Sequence, residues 1–323
     1  IEGGIDLGFF KDKADLGITY YHAITSNVIL TQQLAASSGF FQQVQQGAKF
    51  RNTGLEITAN VRPVTKPNFT WEVGGQWARN RSLTLDLLGA NFVQLDPTYN
   101  TPQEAAIKGQ PIGVMYDLGF AKCGLSPGGE GAVIAGVDLD TVCQGKPKGA
   151  LYIGPDGFPV LDLNNRITGD PNPKWTGSLH SSVQFRKLSV SALLDIKHGG
   201  TINNGTRGAL SAYGTHKSVQ ERATCTLDAD GNEVCTGNLK TFGQGGWFDG
   251  PVAGPGAGMA VPIGENFWLN GPTFFPGNTE IFNEDGSYAK LREISVGYSF
   301  DSPFVKNHIG LSSIDVRIAG RNL

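Results

Sequence analysis

Residues 51–80 read RNTGLEITANVRPVTKPNFTWEVGGQWARN, and their alternation decides the fold. Leu55, Ile57, Ala59 and Val61 fall on one side, and Glu56, Thr58, Asn60 and Arg62 on the other. That two-residue period is the signature of a strand with one apolar face. After the turn PVTKPN, Phe69, Trp71, Val73, Gly75 and Trp77 oppose Thr70, Glu72, Gly74, Gln76, Ala78 and Asn80. Two such runs joined by a short polar turn predict an antiparallel hairpin.

The same pattern recurs outward from this hairpin. Ile5, Leu7 and Phe9, then Leu16, Ile18 and Tyr20, alternate with polar residues or Gly around the turn KDKA. Further on, Trp175, Leu179, Val183 and Phe185 belong to one strand and Leu188, Val190, Leu194 and Ile196 to the next, across the two-residue turn Arg186-Lys187. The last pair sets Ile294, Val296, Tyr298 and Phe300 against Glu293, Ser295 and Ser299, then Ile314, Val316 and Ile318 against Asp315 and Arg317. Eight strands are thus predicted, near 1–10, 14–22, 51–62, 68–80, 175–185, 188–197, 289–300 and 312–320. Long connections remain at 24–49, 82–174 and 198–287.

That asymmetry argues for a membrane. Structureless connections of such length are unusual in compact domains, whereas outer-membrane barrels combine short periplasmic turns with long extracellular loops. The second face, with Glu56, Arg62, Glu72, Asp195, Glu293, Arg317 and Arg321, would be costly in a dry core and suits a watery lumen. Charge pairing along the inner wall is the ordinary role of these seven. Steering solutes, or gripping a domain inside the barrel, is the sharper one. Phe9, Tyr20, Phe69, Trp77, Trp175, Phe185 and Phe300 sit near strand ends, where an interfacial aromatic belt belongs. A soluble β-sandwich or solenoid also alternates polar and apolar residues, but the loop asymmetry favours an all-β transmembrane antiparallel barrel. Residues 1–323 are read as part of one barrel domain, an arc of a larger barrel rather than a closed small one.

Composition agrees. The 323 residues include 45 Gly and only 17 % charged residues, against about 25 % charged in ordinary soluble proteins. The hydrophobic content of 39 % is too high for a disordered chain, and a net charge of −3 gives no grip on nucleic acid. No run of about 20 apolar residues is present to make a spanning helix. The chain begins in strand pattern, without a Met or a signal-like segment, and is read as a piece of a longer polypeptide. Cys123 and Cys143, and Cys225 and Cys235, form two close couples flanked by Gly, Asp, Thr and Asn. Disulfides within each couple are favoured among the three connectivities, which implies an oxidising compartment.

Motifs that could carry chemistry are weak. Gly124-Leu125-Ser126-Pro127-Gly128 has the spacing of a nucleophile elbow but starts no visible helix and has no His in a triad-like context. Asp228-Ala229-Asp230-Gly231 opens like a calcium loop but lacks the rest of its ligand spacing. It reads better as the turn of a small hairpin clamped by Cys225 and Cys235. The cluster Gly254-Pro255-Gly256-Ala257-Gly258 follows no strand and misses the dinucleotide spacing. No catalytic residue, cofactor or metal is therefore expected. Three aromatic couples remain, Trp247 with Phe248, Phe267 with Trp268, and Phe274 with Phe275. Exposed, they would stack on sugar faces or anchor a partner protein; the plainer alternative is that they pack the loop onto itself or the barrel rim.

Several segments resemble the C-terminal barrel of SusC/RagA-type TonB-dependent outer-membrane transporters. They are EGGIDLGFF, LGITYYHAITSNVI, FRNTGLEITANVRP, NRITGDPNPKWTGSL, KHGGTINNGTR, SYAKLREISVGYSF and VRIAGRNL, in colinear order over nearly the whole chain. The most specific parts are Asn52-Thr53-Gly54-Leu55-Glu56, Gly169-Asp170-Pro171-Asn172-Pro173-Lys174-Trp175, and Leu291-Arg292-Glu293 with Gly320-Arg321-Asn322-Leu323. The cysteine-bearing stretch between Asn91 and Lys174 has no counterpart carried over from the family. The resemblance implies a barrel of roughly 22 strands, plugged by a domain upstream of Ile1, energised by TonB and covered by a SusD-like surface lipoprotein. It implies import of a bulky nutrient, a glycan or peptide, at the outer membrane of a Gram-negative bacterium, with the loops extracellular. A passive porin or surface adhesin on a similar barrel is the alternative.

Overall fold

The computed structural model describes residues 1–95, 102–124, 134–243, 250–264, 267 and 280–323. Its frame is one eight-stranded antiparallel sheet in which every strand pairs with its sequence neighbour. The strands are β1 (Glu2–Phe9), β2 (Ala14–Gln33), β3 (Gln42–Lys66), β4 (Phe69–Asp86), β5 (Trp175–Phe185), β6 (Leu188–His198), β7 (Tyr288–Phe300) and β8 (Ile314–Arg321). An all-β barrel segment is thus what the alternation predicts and what the chain forms. No helix among the described residues is long and apolar enough to cross a membrane, which leaves crossing by strands unaffected.

Register explains why the two faces stay distinct. Ile5, Ile18, Ile57, Trp77, Gly177 and Ile196 lie in one cross-strand row. Thr19, Glu56, Ala78, Thr176 and Lys197 form the neighbouring row, on the opposite face. A slip of one residue would move every apolar side chain to the polar side. The Arg186-Lys187 turn closes β5 onto β6 as predicted, with Phe185 opposite Leu188.

Glycine matters at one crowded point. Tyr21, Gly54 and Asn80 are opposite one another on the polar face, and the Tyr21 ring lies over Gly54 so that its hydroxyl donates to Asn80 Oδ1 at 3.1 Å. A Cβ on Gly54 would come within 2.2 Å of that ring. The Gly of the Asn-Thr-Gly-Leu-Glu motif is therefore the floor beneath a cross-strand tyrosine.

Two expectations are corrected. The connection expected at 24–49 is mostly strand: β2 continues to Gln33 and β3 starts at Gln42, leaving only 34–41 between them. This extension is rich in Thr, Ser and Gln on both faces, so it has no apolar period to read. Its backbone pairing is nonetheless continuous apart from bulges between Thr25 and Ile29, where Asn27 takes a φ of 59°. β4 likewise runs on to Asp86, past the expected end at 80.

The connections 82–174 and 198–287, expected to be irregular, have structure of their own. Phe92–Gln94, Gln103–Ile107, Val114–Asp117 and Arg166–Gly169 make a four-stranded sheet. Leu151–Tyr152 pairs in parallel with Val252–Ala253, tying one connection to the other. Phe120, Leu151 and Ile153 from the first share a buried core with Val219, Phe242, Val261, Ile263, Phe267, Ile281 and Phe282 from the second. Ala48 and Phe50 of β3 pack against Leu87, Val93 and Ala106, which anchors this cap to the β2–β3 extension. These apolar residues come in ones, twos and threes between Gly, Pro and polar residues, without a sustained period, which hides the cap from pattern reading.

Candidate functional site

The charged residues of the polar face are brought together largely in pairs. The Arg62 Nε lies 3.0 Å from Glu72 Oε2, with the His180 Nε2 3.9 Å from the other Glu72 oxygen. Asp195 Oδ2 accepts from Arg292 Nη2 at 2.7 Å and Nε at 2.9 Å, and from the Tyr288 hydroxyl at 3.2 Å. Glu293 takes Arg317 Nη2 at 2.7 Å on one oxygen and Arg321 Nε at 3.0 Å on the other. Among the described residues Glu56 alone of the seven expected wall residues has no such partner. Arg292, which pattern reading did not place on this wall, reaches Asp195 because a bulge between Leu193 and Leu194 sets it out of the ordinary alternation. The result is a polar wall that is charged in detail and nearly neutral in sum.

At the loop end this wall meets the cap. Asp170 Oδ1 accepts from the Asn172 amide at 3.0 Å and from its Nδ2 at 2.7 Å, while that Nδ2 also reaches the Ile112 carbonyl at 2.9 Å. Thr201 N donates to the Asp170 carbonyl at 2.7 Å. Gly200 adopts a φ of +88° with the Pro171 carbonyl 2.7 Å from where a Cβ would stand. The Asp-Pro-Asn-Pro and His-Gly-Gly segments thus brace each other at the rim. Between the two connections lies a polar cleft of about 500 Å³ lined by Thr168, Lys174, Asn283, Glu284 and Asp285 among others.

The carboxylates in and below this cleft are held ionised. A hydrogen bond from Arg207 leads the effects that keep Glu284 below the usual carboxylate range, and hydrogen bonds from Ser287 do the same for Asp285. Glu280 sits deeper. Burial pushes its carboxyl up, but the Lys122 and Arg166 charges, with hydrogen bonds from Lys122 and the Phe120 amide, hold it below the ordinary value. Arg166 Nη2 and the Phe120 amide each donate to Glu280 Oε2 at 2.7 Å, and Lys122 pairs with the other oxygen. Glu280 belongs to one connection and its three partners to the other. No local sequence signal marks this junction.

The remaining motifs are placed as follows. Cys123–Cys143 and Cys225–Cys235 are disulfides, paired within each couple as expected. Cys225 and Cys235 face each other in a hairpin whose tip is closed by Asp228, which accepts from the Asp230 and Asn232 amides. Gly256 lies so close to Gly154 that an added Cβ would be 2.0 Å from its carbonyl, so the glycine cluster is a packing turn. Gly124 is described, while 125–128 of the elbow-like motif lie outside the described residues. Phe267 is 3 % exposed and packs with Phe158 and Phe242 inside the cap. Trp247, Phe248, Trp268, Phe274 and Phe275 lie outside the described residues.

No protein-family model matches the chain. Two curated proteins of Formosa agariphila do: TonB-dependent receptor P3 is 23 % identical over 99 % of this chain and 28 % of its own length. TonB-dependent receptor P26 is 21 % identical over 91 % of this chain and 33 % of its own length. The chain therefore spans about a third of the curated relatives that it matches. Among solved structures, the RagAB peptide importer in its closed-closed state aligns over 100 % of this chain and 31 % of its own, with a TM-score of 0.63 and 18 % identity. Its open-open state aligns over 100 % of this chain and 30 % of its own, at 0.62 and 18 % identity.

Proposed function

We propose that this chain, a barrel segment of the SusC/RagA type of TonB-dependent transporter, serves active import of a bulky nutrient across the outer membrane. The observation that carries this reading is the pairing of an ion-paired polar wall with a cap built from two long connections that share one core. A wall whose charges satisfy one another lets a large polar solute pass without being trapped on an isolated charge. The cap places a polar cleft of about 500 Å³ at the loop end, where a ligand arriving from outside would first be held.

In this reading the apolar face meets lipid, the loops are extracellular, and the polar face lines a lumen filled by a plug domain. A SusD-like surface lipoprotein closes over the cap, and TonB pulls on the plug to open a path. The substrate is a glycan or a peptide; the peptide option gains weight from the RagAB fold. Trp247, Phe248, Trp268, Phe274 and Phe275 are its proposed contacts or those of the lipoprotein, while Phe267 is packing inside the cap. Glu56, unpaired on the wall, is the proposed lumen charge open to a solute or to the plug.

The test is uptake of labelled oligopeptides and oligosaccharides by cells carrying the intact gene, with and without its TonB-interacting segment. Uptake that vanishes when the proton-motive force is collapsed or that segment is deleted supports import. Uptake that continues unchanged overturns it in favour of a passive pore, and binding without any uptake favours an adhesin.

A further inference from the structure

The apolar face has a dent. In the row Ala59, Gly75, Leu179 the two smallest residues stand side by side, and the wall hollows there into a trough of about 380 Å³ whose lining includes Ile57, Val61, Val73 and Leu179. The trough is almost wholly apolar. Toward the loop end it is bounded by Trp77, and Trp77 also lines a second hollow of about 530 Å³ that carries Arg79, Arg81, Lys174, Trp175 and His198. Arg79 stands four positions beyond Gly75 on β4, a rise of about 13 Å along the strand.

The order of chemistry along that line is hydrocarbon, then indole, then cation. Trp175 sits opposite His198, their rings 5.3 Å apart, at the level where amphipathic rings mark a membrane interface. Among the described residues Arg79, Arg81 and Lys174 have no ion-pair partner. Two carboxylates face the group: Asp170 lines the same hollow and is engaged by Asn172, and Asp285 feels the charges of Lys174 and His198.

We propose that these two adjoining hollows on the outer wall, which meet at Trp77, hold one lipid of the surrounding outer leaflet, an acyl chain in the Gly75 trough and a phosphate-bearing headgroup on Arg79 and Arg81. The proposal rests on the reading above, in which the apolar face meets lipid and the loops face outward. A guanidinium pair matches phosphate oxygens in geometry as well as charge. A second copy of this barrel wall fits less well, because the paired apolar rows of β3 to β6 contain no carboxylate to answer these cations.

The test uses the full-length transporter in nanodiscs, with native mass spectrometry counting retained lipid. The probes are lipid A, the same lipid stripped of its phosphates, and inorganic phosphate alone. The expected result is retention of lipid A about tenfold tighter than its dephosphorylated form, a difference of about 1.4 kcal/mol. The R79Q/R81Q variant should abolish that preference. Ala59→Leu, which fills the trough, should weaken both lipids alike. Gly75 is left untouched because a Cβ there would stand 2.8 Å from Leu179 Cδ2. Equal retention of the two lipids, or displacement by inorganic phosphate alone, overturns the proposal, as does a dimer that dissociates in R79Q/R81Q. Nutrient uptake is followed in parallel: lost lipid preference with intact uptake supports a lipid site separate from transport, whereas a protein that leaves the membrane without detergent overturns the reading on which it rests.

Discussion

Replacing Glu280 with Gln should loosen the cap without touching the barrel. In the native protein this carboxylate, with 10 % of its side chain exposed, joins Arg166 at 4 % and Lys122 at 19 %. Gln keeps the shape and can still accept from the Phe120 amide, but it leaves two cations in a low-dielectric site. Breaking a buried pair in this way costs about 3–5 kcal/mol. The partial exposure of Lys122 lets its ammonium turn to water and places the expected cost near the lower figure. An opening free energy reduced by ~3 kcal/mol raises the population of the open cap by a factor of about 100. The assay is amide hydrogen exchange on the full-length protein, reading peptides over 118–123 and 150–154, where Phe120 and the Leu151–Tyr152 strand report on the shared core. The pH dependence has a definite sign. Because the folded carboxyl lies below its ordinary value of 4.5, its stabilisation is complete above that value and is lost as pH falls through the lower folded one. Wild-type protection should therefore hold down to about 4.5 and then fall, while the Gln variant stays flat. Adding Lys122→Met and Arg166→Met to the variant should restore part of the protection, since both uncompensated cations are then gone while the new carboxamide still accepts from the Phe120 amide. Unchanged exchange in the single variant, or cap opening in the wild type well above pH 4.5, would refute the reasoning.

Gly54→Leu should displace the Tyr21 ring, break its bond to Asn80, and destabilise the β2–β3–β4 region by about 1–3 kcal/mol; a melting curve identical to wild type would show that the ring can move freely. Replacing Cys123 and Cys143 with Ala should cost the cap about 3 kcal/mol and replacing Cys225 and Cys235 slightly less, from loops of 20 and 10 residues. Limited proteolysis reads this, with faster cutting within 124–142 and 226–234 as the expected outcome. Ala at Trp247 and Trp268 together should weaken capture of nutrient or lipoprotein with the barrel intact, checked by binding in detergent; unaltered affinity assigns those rings to packing.

The barrel strands were legible because each obeys two constraints at once. Along β5 and β6 one face must suit lipid and the other water, so Leu179, Val183, Val190 and Leu194 repeat with period two and Arg186-Lys187 marks the turn. Where only one constraint acts, the reading fades. Between Thr25 and Gln33, and from Gln42 to Lys49, polar residues dominate and bulges shift the parity, so strand survives in the backbone while Val28, Leu30 and Ala48 meet the cap's core without a regular alternation. Asp195 was placed on the polar wall from parity, but its partner Arg292 was not, because a bulge breaks parity at that row. Glu280 and its partners were out of reach for another reason. They are separated by 114 to 160 residues and meet only through the fold of the cap. Phe267 looked like its aromatic neighbours in sequence, and only its position between Phe158 and Phe242 shows which way the ring faces.

The shared core also bears on how such a protein can change. Leu151–Tyr152 and Val252–Ala253 complete each other's sheet, and Glu280 neutralises cations that belong to the other connection. Neither connection can be transplanted alone, for a foreign partner would leave a strand edge bare and two positive charges uncompensated. Specificity on this scaffold should therefore be inherited, and engineered, as a co-varying cassette of both connections together, with β3 to β6 as the chassis into which it plugs.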